Sequence, residues 1–186
     1  LKQKPTASVK SARLHALNLE YIELKVDVEI KNPYPVGIKL NDLTTNVAVE
    51  KKHVLQTGTK DVLEIKASSA HTSTFLVKLH YNKIGSVVSD YMNRDYLHCD
   101  ITGDITLALP NIPGLPPTLK IPYSTQKRIP VVRPTVRISN FKFNIMRGEM
   151  SYDITIKNSA KTPIQFQTIN YSLVMNGNPV VRSTNA

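Results

Sequence analysis

Apolar and polar side chains alternate with a period of two along most of this chain, the mark of strands that bury one face. Ile22, Leu24, Val26, Val28 and Ile30 point one way, and Glu23, Lys25, Asp27, Glu29 and Lys31 point the other. Leu43, Thr45, Val47 and Val49 make a second inward row. Phe75, Val77, Leu79 and Tyr81 make a third, opposed by Thr74, Leu76, Lys78 and His80. The longest row runs from Leu97 through Cys99, Ile101, Gly103, Ile105 and Leu107 to Leu109, with His98, Asp100, Thr102, Asp104 and Thr106 outward. Weaker alternation predicts further strands over 7–14, 53–57, 61–66 and 118–125. One segment departs from the period. Ile84, Val87, Val88, Tyr91 and Met92 follow helical spacing, which predicts one short helix over 82–93, capped by Asn82 and closing one end of the fold.

Prolines mark the loops. Asn32-Pro33-Tyr34-Pro35 ends a strand, because proline cannot donate to a central ladder. Pro110–Pro117 joins two strands, and Gln126–Pro134 reads as a short linker stiffened by proline. About seven antiparallel strands with one helix predict an all-β fold, an antiparallel β-sandwich of immunoglobulin or fibronectin type III kind. A closed barrel is the alternative that the pattern leaves open.

The pattern occurs twice. Residues 26–32, Val-Asp-Val-Glu-Ile-Lys-Asn, return at 152–158 as Tyr-Asp-Ile-Thr-Ile-Lys-Asn, and an offset of 126 keeps the copies aligned from Val26 to Thr59. Lys4-Pro5-Thr6 has its counterpart in Arg133-Pro134-Thr135. Self-similarity at a fixed offset means one unit used twice. The expected organisation is a complete sandwich over 1–130 and the first half of a similar one over 131–186. The second copy carries apolar rows at Phe141, Phe143 and Ile145, at Met150, Tyr152, Ile154 and Ile156, and at Ile169, Tyr171, Leu173 and Met175. Its Asn176-Gly177 is a two-residue hairpin turn. Half a sandwich leaves such rows uncovered, so the natural chain is expected to continue past Ala186.

Composition refines this picture in three ways. Over 186 residues the formal charge is +10. Residues 1–130 carry 17 Lys/Arg against 12 Asp/Glu and residues 131–186 carry 7 against 2, so each part contributes +5 and the shorter one is far more basic per residue. Such an excess favours anionic surfaces, a membrane among them. The cations are scattered singly without stacking aromatics, which argues against specific nucleic-acid binding. The single cysteine, Cys99, excludes an intrachain disulfide and sits on an inward row. No apolar run approaches the roughly 18 residues of a membrane-spanning helix.

Candidate chemistry is sparse. There is no Gly-rich phosphate loop, no nucleophile elbow, and no Cys or His pair at metal-ligand spacing. His80 and His98 both face outward and are candidate cross-strand neighbours. Asp27 with Glu29, and Asp100 with Asp104, share outward faces, but lysines on neighbouring strands make ordinary charge pairs of them. Asn170-Tyr171-Ser172 matches a glycosylation acceptor by chance, since it falls within a strand. The chain is expected to have no catalytic residue, no cofactor, no metal and no small-molecule substrate. Protein partners are expected at sheet edges.

The order of these features resembles a known family. A strand ending in Lys31-Asn32-Pro33-Tyr34-Pro35 precedes the inward row at 43–49. Ser69-Ala70-His71-Thr72-Ser73 then enters a strand, followed by a helix, a strand ending in Leu107-Ala108-Leu109-Pro110, and Leu119-Lys120-Ile121-Pro122. This is similar to the WHy (water stress and hypersensitive response) domain of the second group of late embryogenesis abundant proteins, over residues 4–130. The Asn-Pro pair after an alternating strand is that domain's motif. Asn32, Pro33 and Pro35 match it, and Asn158 keeps it in the second copy, where Ser159 replaces the proline. The resemblance implies a fibronectin type III-like sandwich, structural roles for those residues, and a non-enzymatic module protecting or binding its targets under desiccation and water stress. It also implies, as the alternative, an adaptor among bacterial cell-envelope lipoproteins. The expected location is accordingly the bacterial envelope or the plant cytoplasm, with the envelope slightly favoured.

Overall fold

The structure, a computed structural model, describes residues 3–60, 62–111, 113–161, 163–164 and 170–184. The alternating segments form β1 (Thr6–Leu17), β2 (Tyr21–Asn32), β3 (Ile38–Val49), β4 (Lys52–Thr59), β5 (Leu63–Ile65), β6 (Ser69–His80), β7 (Tyr96–Ala108) and β8 (Thr118–Pro130), with α1 (Tyr81–Val87) between β6 and β7. They make two antiparallel sheets. One has the order β1-β2-β6, and the other the order β4-β3-β7-β8, with β5 also on β3. The inward rows of both sheets fill one core. Leu24, Val26, Val28 and Ile30 from β2 meet Leu43, Val47 and Val49 from β3 and Leu97, Cys99, Ile101, Ile105 and Leu107 from β7. Among these only Leu43 shows any exposure at all, at 1%. On one side β1 lies against β8, so an edge strand of each sheet shelters the other. The arrangement is a β-sandwich with one short helix.

Four details differ from the sequence pattern. The helix stops at Val87, and Tyr91–Asn93 forms a separate 3-10 turn. Ser89 and Asp90 are poor continuers of a helix, and Tyr91 is drawn off to donate its hydroxyl to the Val132 carbonyl at 2.7 Å. The residue capping α1 is His80 rather than Asn82, and its side chain makes no capping bond. His80 and His98 stand in different sheets, because β6 pairs with β2 while β7 pairs with β3 and β8. Finally, β8 continues to Pro130, which shortens the link to Val131, Val132 and Arg133. Val131 and Val132 are buried, and the Val131 amide donates to the Asp95 carbonyl at 2.8 Å.

Beyond the link lie β9 (Pro134–Asn144), β10 (Glu149–Asn158), β11 (Asn170–Met175) and β12 (Asn178–Thr184). They form two separate hairpins, β9–β10 and β11–β12. Each reproduces a hairpin of the first unit. Thr135 opposite Lys157 and Val136 opposite Ile156 stand where Thr6 opposite Lys31 and Ala7 opposite Ile30 stand earlier. In β11–β12, Tyr171 opposite Ser183 and Met175 opposite Asn178 are the β3–β4 pairs Thr45–Thr57 and Val49–Lys52 moved by 126. Even the register shift recurs, between Val47 and Ala48 in one and between Leu173 and Val174 in the other. Both turns have left-handed backbone at two residues. In the first these are Glu50 and Lys51, at φ 49° and 66°; in the second Asn176 and Gly177, at φ 50° and 81°. That conformation suits asparagine and glycine better than glutamate and lysine.

The earlier and later strands differ in what covers them. The β10 row of Met150, Tyr152, Ile154 and Ile156 is half-buried, whereas its β2 counterparts are closed off from solvent. Val136, Ile138 and Phe143 on β9 stay exposed. Of the row expected at Ile169, Tyr171, Leu173 and Met175, Ile169 and the other three side chains lie outside the described residues.

Candidate functional site

The Asn-Pro turn is the most densely bonded polar point of the first unit. Asn32 ends β2 and is buried, at 2% exposure. Its Oδ1 accepts the Tyr34 amide at 3.0 Å, skipping Pro33, which has no amide hydrogen to leave unpaired. Its Nδ2 donates to the Val36 carbonyl at 2.9 Å and the Lys66 carbonyl at 2.9 Å, with the Ile65 carbonyl at 3.3 Å sharing a hydrogen. The Ser68 amide then donates to the Tyr34 carbonyl at 2.8 Å. One side chain thus ties the end of β2 to its own loop and to the turn between β5 and β6, more than thirty residues away. Pro35 lies exposed on the outside of this turn. In the second unit the Asn158 Oδ1 accepts the Ala160 amide at 3.1 Å, the same bond two residues on, and the Arg133 amide at 3.3 Å.

An open cleft of about 680 Å³ adjoins the Asn32 turn, lined by Lys4, Lys31, Asn32, Pro33, Ser68 and Ser69 among others. The serines are already engaged. Ser69 Oγ donates to the Lys66 carbonyl at 2.7 Å, and Lys31 Nζ lies 3.4 Å from a Glu29 oxygen. Among the described residues, none of those lining this cleft is a His, Cys, Asp or Glu. Among the described residues no three His, Cys, Asp or Glu side chains gather as a metal site would require. Cys99 is buried, and burial, with Asp100 beside it, pushes its thiol up to about 12. A thiol so placed is a packing group, not a nucleophile. Asp100 accepts a hydrogen bond from Gln126 Nε2 at 2.8 Å and does not converge with Asp104 on any shared point.

The outward row of β2 is instead a lattice of charge pairs. Asp27 accepts from Ser11 Oγ at 2.6 Å, Thr74 Oγ1 at 2.7 Å and Arg13 at 3.1 Å, so residues on β1 and β6 clamp it from both sides. Glu29 pairs with Lys10 and Lys31, and Glu23 with Lys78. The Ser11 and Thr74 hydroxyls, then Arg13, hold the Asp27 carboxyl below the usual aspartate value, and Lys10 does the same for Glu29. A carboxylate with a depressed folded pKa contributes stability above its unfolded pKa, and loses it as pH falls through the folded value. The melting temperature should therefore be flat from neutral pH to about 5 and fall below about 4. Asp27→Asn should show a shallower fall, read by circular dichroism melts across pH. An acid profile identical to the parent's would remove Asp27 from the account.

Two groupings could not be read from the pattern of the chain. At the junction, Tyr91, Asp95 and Arg94 receive the link: Arg133 donates to the Arg94 carbonyl, and Lys161 pairs with Asp95. In the core, the Tyr123 hydroxyl donates to the Thr44 carbonyl at 2.9 Å and shares a hydrogen bond with Thr45 Oγ1 at 2.6 Å. A glycine inside a strand, Gly103, was the one available signal for the second, since it marks close backbone approach.

Comparison with known proteins agrees with this geometry. Solved structures with the same fold include a protein from Archaeoglobus fulgidus, 13% identical, with a TM-score of 0.51, covering 66% of this chain and 96% of its own. A solution structure from Arabidopsis thaliana is 19% identical, with a TM-score of 0.53, covering 69% of this chain and 82% of its own. A solution structure described as a late embryogenesis abundant (LEA) protein is 21% identical, with a TM-score of 0.52, covering 69% and 72%. No curated protein matches the chain. The family model for late embryogenesis abundant protein matches residues 27–120, half of the sequence, from the clamped Asp27 through the Asn32 turn to β8. The chain belongs to the late embryogenesis abundant protein family.

Proposed function

We propose that this protein is a non-enzymatic, stress-associated module that protects or binds other molecules when water becomes scarce. It would be built as a WHy-like, fibronectin type III-like sandwich over 1–130 followed by the start of a second over 131–186. The observation that carries this reading is the pairing of family membership with a sealed core and, on the outward face of β2, carboxylates that are each paired with a neighbouring cation. Those β2 pairs stay satisfied as water leaves, while the excess of cations elsewhere still relies on water or on an anionic partner. Three strands facing a sheet of five, in which β4 and β5 share one edge of β3, support the fibronectin type III-like reading. The recurring registers, register shift and turn asparagines of the two later hairpins support a tandem repeat.

The test is drying. A desiccation-sensitive enzyme dried and rehydrated with this protein should retain several-fold more activity than with an equal mass of an unrelated β-sandwich. Circular dichroism of the dried film should match that in solution. Equal recovery with both proteins would sink the protective reading.

A further inference from the structure

The tip of the β9–β10 hairpin is the most open apolar point among the described residues. Met146 is 97% exposed and Ile145 82%, with Phe143 and Phe141 also exposed on the strand leading to it. Asn144 builds this turn. Its Oδ1 accepts the amides of Met146 and Arg147, as Asn18 Oδ1 accepts those of Glu20 and Tyr21 in the first hairpin. Two residues after the asparagine, the first hairpin therefore carries Glu20 and the second carries Met146.

That comparison bears on why Met146 is open. In the first unit α1 packs on the turn: the Tyr81 amide donates to the Glu20 carbonyl at 3.0 Å, and the Tyr81 hydroxyl donates to the Asn18 carbonyl at 2.7 Å. The Glu20 side chain is still 74% exposed. A helix packed on the second turn in the same way would leave Met146 in solvent. Position therefore accounts for the exposure of Met146, a thioether where the first hairpin holds a charge, whereas Ile145 is more open than its half-buried counterpart Leu19.

Cations bracket the tip. Lys142 precedes it on β9 and Arg147 follows Met146 in the turn, against Glu149 at the start of β10. The next acid, Asp153, accepts a hydrogen bond from Asn140. A protruding apolar pair flanked by cations has the chemistry of an interfacial anchor. The apolar groups enter the boundary between headgroups and acyl chains, and the cations meet the phosphates. We propose that the Ile145–Met146 tip docks on an anionic lipid bilayer, with Lys142 and Arg147 on the lipid phosphates. This goes beyond the protective reading and is tested without it, because the drying assay contains no lipid.

The chain has no tryptophan, so Met146→Trp supplies a single fluorescent reporter. With the 186-residue protein, vesicles of phosphatidylcholine and phosphatidylserine should shift the emission of this indole to the blue at low salt, and brominated lipid should quench it. Pure phosphatidylcholine should do neither. Lys142→Glu with Arg147→Glu should weaken vesicle binding at least about tenfold. Ile145→Ser with Met146→Ser should weaken it comparably and leave the melting temperature unchanged, because both side chains are in water. An unshifted indole emission with anionic vesicles would overturn the proposal. So would vesicle binding that the tip substitutions leave intact. A blue shift that follows protein concentration without lipid would also overturn it, assigning the tip to self-association.

Discussion

Replacing Gly103 by alanine is expected to cost the first sandwich about 3 kcal/mol or to prevent its folding. Gly103 sits on the inward row of β7, opposite Thr45 on β3 and Tyr123 on β8. The Tyr123 ring lies across it. A Cβ built there would stand 2.0 Å from the Thr44 carbonyl oxygen, 2.4 Å from the Tyr123 hydroxyl and 2.5 Å from its ring. The tyrosine could swing away only by giving up its bonds to Thr44 and Thr45 inside the core, and the carbonyl belongs to backbone that the β3 ladder holds in place. Tyr123→Phe alone should cost about 1–2 kcal/mol, the loss of those bonds from a buried site. Adding it to Gly103→Ala should not restore stability, since the clash with the carbonyl remains. Urea denaturation followed by circular dichroism measures all three. A Gly103→Ala protein within about 1 kcal/mol of the parent would show that the strands can part without cost, contrary to close packing.

Asn32→Ala should be the next most damaging change, at about 3 kcal/mol. It strands the buried Tyr34 amide and takes the donor away from the partly buried Val36 and Lys66 carbonyls. Asn32→Asp separates hydrogen bonding from shape. The carboxylate still accepts from Tyr34 but cannot donate, and it faces carbonyl oxygens with a negative charge. It should be as damaging as alanine at neutral pH, or more so. A benign aspartate variant would mean that the donated bonds contribute little.

Much of this was legible because the first unit is built from rows that alternate cleanly. Leu97 to Leu107 and Ile22 to Ile30 each announce a buried face, and Cys99 follows from the row it shares. Asn32 between a strand and two prolines announces a bonded turn, though its reach to Ile65 and Lys66 depends on the chain's return and leaves no local trace. The full lengths of β1 and β8 were hidden for a different reason. Both are edge strands whose outward positions are mostly polar, and the inward row of β8 includes the polar residues Thr125 and Lys127, so their alternation fades before their ladders do. Which strands share a sheet is likewise absent from periodicity, and so His80 and His98 looked like neighbours. Ile145 read as the end of an apolar row with Phe141 and Phe143, because nothing in the local pattern says that Asn144 turns the chain there.

The short segment between β8 and β9 has a kinetic consequence. Val131 and Val132 are wedged into the base of the first sandwich, with the Tyr91 hydroxyl on one carbonyl and the Asp95 carbonyl on one amide. A protease cannot thread a segment held in this way, so the tether becomes cleavable only when the base of the sandwich opens. Its lifetime is therefore set by the unit it follows rather than by its own three residues. Whatever holds the sandwich shut also keeps the later hairpins on the same chain.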